Sequence, residues 1–249
     1  MVRSLLVRGM IAGAVAGLIY AIFAYVFGEP TVDSAIGFED KVAAAAGEAP
    51  GEELVSRAVQ STLGLTVAAL VYGIAIGGIF ALVFAASYGR LGRLSPRATA
   101  AVLAVIAFVV VYAVPFLKYP ANPPASSIDT TIGERTGLYV LMVVFSVIIC
   151  CGAVALRGRL LPKLGGWNAT LAAAAAYLVV VGVVMALLPV IAETPSDFPA
   201  TVLYDFRLAS FGGQLVLWTV LGLVFGVLAD GGPVRGRRRA QRSLDAPSA

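Results

Sequence analysis

The chain has no histidine among its 249 residues, and its two cysteines, Cys150 and Cys151, are adjacent. Cys/His metal clusters, histidine general bases and disulfide frameworks therefore have no residues to build them. Neighbours on a helix point about 100° apart, so the two thiols neither bridge easily nor share a metal, and they read as small packing residues. No GxxxxGK[ST] is present, which excludes nucleotide hydrolysis through a P-loop. With no serine nucleophile motif and no intramembrane carboxylate pair either, the chain is not expected to be an enzyme. Charge is also scarce, at 13% of residues, where soluble domains carry about 25%. What fills the sequence is apolar residues, 59% of it, and they come in runs, not periodic stripes, which is the pattern of segments facing lipid.

Crossing the hydrocarbon takes about 20 apolar residues as a helix. Six stretches qualify, near 9–27, 62–88, 98–117, 137–156, 168–191 and 211–228. The expected fold is an all-α, polytopic membrane helix bundle of six transmembrane helices over residues 1–230, with a basic tail at 231–249. Continuously apolar runs such as Ala101 to Val114 do not fit the alternating segments of a membrane β-barrel. The first run, Gly9 to Phe27, is longer than the apolar region of a signal peptide and lacks a tidy cleavage site after it, so it is expected to stay as a span.

Lysine and arginine set the orientation. Thirteen lie on the side of the termini and five, Lys41, Arg57, Lys118, Arg135 and Arg207, on the other. Both termini are thus expected in the cytoplasm of a bacterial plasma membrane protein. Twelve of the fourteen acids fall on the outer side, so a modest net charge of +4 conceals an acidic outer face and a basic inner one. The arginine-rich tail after Asp230 sits just cytoplasmic of a span, where such runs bind anionic lipid and enforce topology; nucleic acid is not expected.

Cytoplasmic connections are short, and the three outer segments hold nearly all of the polar variety. Each odd-numbered span leaves near prolines (Pro30; Pro115 and Pro120; Pro189 and Pro195), and each even-numbered one begins beside an outer arginine (Arg57, Arg135, Arg207). Three repeated hairpins would give this plan, and so would ordinary helix termination with interfacial anchoring. Gly9, Gly13 and Gly17 recur every fourth residue, and Gly73, Gly77, Gly222 and Gly226 make comparable small faces. Such faces let helix backbones approach closely. No ionisable residue falls mid-span, which disfavours a proton relay through the bilayer.

Polar residues gather instead at the outer ends. The substrate-binding candidates are Arg57, Gln60, Lys118, Tyr119, Asn122, Arg135, Asp205, Arg207 and Gln214, and Glu29, Asp33 and Glu39 are the candidates to collect a divalent cation. In Lys118-Tyr119-Pro120-Ala121-Asn122-Pro123-Pro124 three prolines fix an extended backbone while Lys, Tyr and Asn offer donors and acceptors along it. It reads either as a ligand-facing rod or as a stiff connector. An unpaired guanidinium near hydrocarbon is costly, so Arg135 and Arg207 are expected to pair with outer carboxylates, Glu29 or Asp33 being nearest in type.

These residues resemble the CbtA family of proposed cobalt transporter subunits. The resemblance rests on Arg8-Gly9 opening a Gly-rich helix, Gly28-Glu29-Pro30-x-x-Asp33 with Ala35-Ile36 and Glu39, Ser56-Arg57 with Gln60, the Lys118 to Pro124 segment, Arg135-Thr136, and Asp205 to Ser210 followed by Gln214. It implies a membrane subunit of cobalt uptake feeding cobalamin synthesis, with no cofactor, Co²⁺ as the transported ion, and a small single-span partner, CbtB, that carries histidines. Lacking histidine, this chain offers Co²⁺ only oxygen ligands, which are weak and unselective for a first-row metal, so selectivity would fall to the partner. The alternative is a non-transporting scaffold or assembly protein that docks a partner through its Pro-rich outer loops.

Overall fold

In lipid the backbone has no hydrogen-bond partner but itself, which leaves long apolar runs the helix as their solution. The computed structural model describes residues 2–47, 55–90, 92, 94–124, 126, 132–191 and 194–231, and these form helices and connections with no strand among them. Five helices are long and apolar enough to cross a membrane: α1 (Val2–Ala46), α2 (Arg57–Ser87), α3 (Pro96–Lys118), α4 (Ile132–Leu187) and α5 (Ala200–Asp230). The basic tail from 232 onward and residues 48–54 of the first outer segment lie outside the described residues.

Two helices run differently from the sequence expectation. Composition places the end of the first helix at Gly28-Glu29-Pro30, yet α1 continues to Ala46. A π turn at Ala24–Gly28, closed by the Glu29 N–H donating to the Ala24 carbonyl, precedes the proline. Pro30 then falls in the first turn of the α stretch that follows, where a missing N–H costs nothing.

The second difference is α4, whose 56 residues would span about 84 Å if straight. Gly165 interrupts it with a left-handed φ of 71°, and beyond that glycine the helix folds back. The hydroxyls of Ser146 and Tyr177 meet at 2.7 Å, and Arg157 Nε donates to Thr170 Oγ1 at 2.9 Å. Pairs 31 and 13 residues apart touch only in an antiparallel helical hairpin, whose arms match the apolar stretches at 137–156 and 168–191.

The chain divides into two compact units, one of Met1–Pro30, Gly47–Ala107 and Leu208–Ala249, the other of Thr31–Ala46 and Phe108–Arg207. In the first, α1 lies against α2 through the glycines. A methyl group built on Gly9, Gly13 or Gly17 would run into the backbone carbonyl of Gly77, Gly73 or Ala69 respectively. Residue numbers rise on one helix as they fall on the other, so the pair is antiparallel, at the close approach that small residues permit. The N-terminal part of α3 packs on α5 likewise, Gly222 against Ala104 and Gly226 against Arg97 and Ala100. Phe225 stands edge-on to Phe80 and Phe84, with ring centroids 5.3 and 5.0 Å away. At one end of this unit Arg8 donates to the Leu228 carbonyl at 2.7 Å and Arg97 pairs with Asp230 at 3.2 Å. In the second unit, Phe38 of α1 meets Phe198 edge-on at 5.2 Å, which fixes that stretch of α1 beside the segment leading into α5.

Candidate functional site

The site in the second unit grows from the end of α3. A π turn at Phe108–Ala113 precedes Pro115, repeating the π-turn-then-proline pattern of α1. It stacks Phe108 on Tyr112 and Tyr112 on Phe116, with centroids 6.1 and 5.4 Å apart. The helix closes with the Tyr119 N–H on the Pro115 carbonyl at 2.8 Å, and the chain then runs through Pro120 to Pro124 without helical structure.

Four long polar side chains hold that segment. Lys118 Nζ donates to the Leu188 carbonyl at 2.9 Å, and the Tyr119 hydroxyl donates to the Pro189 carbonyl at 2.8 Å. Both acceptors lie just past the C-terminus of α4, where orphan carbonyls and the helix dipole favour a cation. Burial, and then the nearby Glu134 carboxylate, push the Tyr119 phenol above its ordinary pKa, so it stays a donor. Arg135 Nη2 reaches the Pro120 carbonyl at 2.5 Å. Arg207 bridges the next two residues, Nε to the Ala121 carbonyl at 3.2 Å and Nη2 to Asn122 Oδ1 at 2.9 Å. The proline segment is thus clamped by arginines 15 and 86 residues away in sequence.

Two adjoining cavities open here. The smaller, about 230 Å³, is lined by Lys118, Tyr119, Pro120, Asn122, Arg135, Ile191, Thr194 and Arg207. Five of the nine expected substrate-binding residues, Lys118, Tyr119, Asn122, Arg135 and Arg207, are brought together in it. The larger, about 580 Å³, shares Tyr119, Asn122 and Arg135 and adds the rings of Tyr112, Phe116 and Tyr139, with Glu39 at its wall.

The remaining candidates lie elsewhere. Asp205 is exposed on the helix that carries Arg207. Arg57, Gln60, Gln214 and Glu29 belong to the first unit. There Arg57 is ion-paired with Glu29, Gln60 donates to the Val55 carbonyl at 2.8 Å, and Gln214 buries its Oε1 without a partner. Glu29 is therefore held by the arginine that opens α2, whereas Arg207 bonds to neutral oxygens and has no carboxylate within salt-bridge range among the described residues. Of the cation-collecting set, Asp33 and Glu39 stand six positions apart on one helix, about 240° around it. Among the described residues no group of three or more His, Cys, Asp or Glu stands together as a metal site.

Sequence reasoning missed the aromatic wall. Tyr112, Phe116 and Tyr139 sit in or beside apolar runs and read as lipid-facing residues. The usable signal was the spacing Phe108, Tyr112, Phe116 directly ahead of Lys118, which stacks rings toward the polar segment.

Five long apolar helices, packed in part through glycines, are the build of a multi-pass membrane protein. The chain belongs to the CbtA family, described as a probable cobalt transporter subunit, whose model matches residues 2–230. No curated protein and no solved structure matches the chain.

Proposed function

We propose that this chain is the membrane subunit of a bacterial cobalt uptake system that supplies cobalamin synthesis, acting in the plasma membrane with a small single-span, histidine-bearing partner. The observation that carries the reading is the family match across residues 2–230, and the cavity around Lys118, Tyr119, Asn122, Arg135 and Arg207 gives the substrate a place to dock. The α4 hairpin supports two crossings by that element and hence six spans in all, and the thirteen-to-five distribution of Lys and Arg supports termini in the cytoplasm. The cavity then faces outward, and Asp33, Glu39 and Asp205, all exposed, add negative charge to the outer surface. Anionic lipid is the proposed partner of the basic tail. Radiolabelled Co²⁺ uptake into cells with and without this chain and its partner tests the reading. Uptake should need both. Full uptake with the partner alone would make this chain a scaffold and overturn the proposal.

A further inference from the structure

The charge and size of the cavities in the second unit do not suit a bare divalent ion. Three cations, Lys118, Arg135 and Arg207, line the smaller one, and no carboxylate does among the described residues. Lys118 and Arg207 bond only to neutral acceptors there, the Leu188 and Ala121 carbonyls and the Asn122 amide oxygen, so their charge is not cancelled locally. A divalent cation entering the smaller cavity alone therefore meets the uncancelled charge of Lys118 and Arg207. The larger space of about 580 Å³ also exceeds what one hydrated ion fills, since each water occupies about 30 Å³, and it lies in the range of organic ligand pockets. Its wall is four aromatic rings, Tyr112, Phe116, Tyr119 and Tyr139, which offer flat apolar contact.

We infer that these joined cavities bind an organic carboxylate with a planar or apolar body, its carboxylate held by Arg207, Lys118 and the Asn122 amide and its body lying on the aromatic wall. Guanidinium and carboxylate match in charge and in fork geometry, and Thr194 adds a hydroxyl donor. On the transport reading above, on which this role rests, the metal arrives as its carboxylate chelate and the net negative complex is what the cavity accepts.

The test is calorimetric titration of the full chain in nanodiscs with pyridine-2,6-dicarboxylate, a planar aromatic dianion that chelates Co²⁺, with its dianionic 2:1 Co²⁺ complex, with inorganic phosphate and with free Co²⁺. The dicarboxylate and its complex should bind, phosphate at least tenfold more weakly. Arg207→Gln and Lys118→Gln should each lower dicarboxylate affinity at least tenfold. Because Arg207 also clamps the proline segment, Tyr139→Ala supplies a variant outside that clamp, and it should weaken the dicarboxylate several-fold in protein that stays folded and monodisperse. No binding of the dicarboxylate to the unaltered chain, equal binding in Arg207→Gln and Tyr139→Ala, or phosphate binding as tightly would overturn the inference. So would free Co²⁺ binding that is lost in Arg207→Gln. These titrations do not depend on transport, so an uptake assay that fails while the dicarboxylate binds removes the transport reading alone, and Co²⁺ uptake without dicarboxylate binding removes this inference alone.

Discussion

Arg207 Nη2 donates to Asn122 Oδ1 at 2.9 Å across 85 residues of chain, joining the start of α5 to the segment that leaves α3. A guanidinium held by an amide keeps its full positive charge, whereas a carboxylate at the same place would cancel it. Asn122→Asp should therefore stabilise the fold by about 1 kcal/mol, the difference between a hydrogen bond with one charged partner and one with two, and at the same time weaken anion binding. Asn122→Ala should destabilise by a similar amount. Thermal midpoints read beside dicarboxylate affinities check the pair; Asn122→Asp lowering the midpoint would contradict it.

The α1–α2 contact gives a sharper test of packing. Gly13 faces the Gly73 carbonyl so closely that any side chain must push the helices apart, and overpacking of this kind costs about 1–3 kcal/mol. Gly13→Ala should lower the thermal midpoint and the yield of monodisperse protein. Gly152→Ala is the control: that helical glycine has open space around its Cβ position, and alanine there should leave stability equal or raise it by up to about 1 kcal/mol. Equal losses from both substitutions would remove the close contact.

How far the sequence foretold these arrangements follows from whether each signal is local. Apolar runs announce helices because length and composition are local properties, and the four-residue spacing of Gly9, Gly13 and Gly17 announces a close contact for the same reason. Which helix fills that groove is not local, although the matching spacing of Gly73 and Gly77 narrows the choice. The Lys118 to Pro124 segment stood out because three prolines and several donors are rare together at the end of an apolar run. The identity of each arginine's partner did not: Arg57 is 28 residues from Glu29, Arg207 is 85 from Asn122, and charge alone favoured carboxylates for Arg135 and Arg207. Pro30 misled as a helix end because the π turn that accommodates it leaves no mark in composition.

The α4 hairpin predicts a specific cross-link. Arg157 and Thr170 touch in it, whereas 13 residues of straight helix would separate them by about 20 Å. With Cys150 and Cys151 replaced by serine, Arg157→Cys with Thr170→Cys should be joined by a short bifunctional thiol reagent that spans the reach of the lost arginine side chain, and Arg157→Cys with Leu178→Cys should not. Cross-linking in the second pair and not the first would contradict the antiparallel register.

The hairpin also makes the topology testable: if both arms cross, as proposed above, the turn at Gly165 and the two ends of α4 lie on opposite faces of the bilayer. The turn is basic, with Arg157, Arg159 and Lys163 before it, and basic connections stay in the cytoplasm. Ser196 and Asn168 are both exposed and flank the second arm of α4, so each carries a cysteine with little cost to the fold. In the background lacking native cysteines, Ser196→Cys should react with an impermeant thiol reagent added to intact cells, while Asn168→Cys and Ser243→Cys should react only after the membrane is permeabilised. Labelling of Asn168→Cys from outside would mean that the second arm does not cross, and labelling of Ser243→Cys would invert the protein. Arg159→Glu with Lys163→Glu weakens the charge asymmetry at that turn alone; if the retained cations set its side, the pair should raise outside labelling of Asn168→Cys and leave that of Ser243→Cys unchanged.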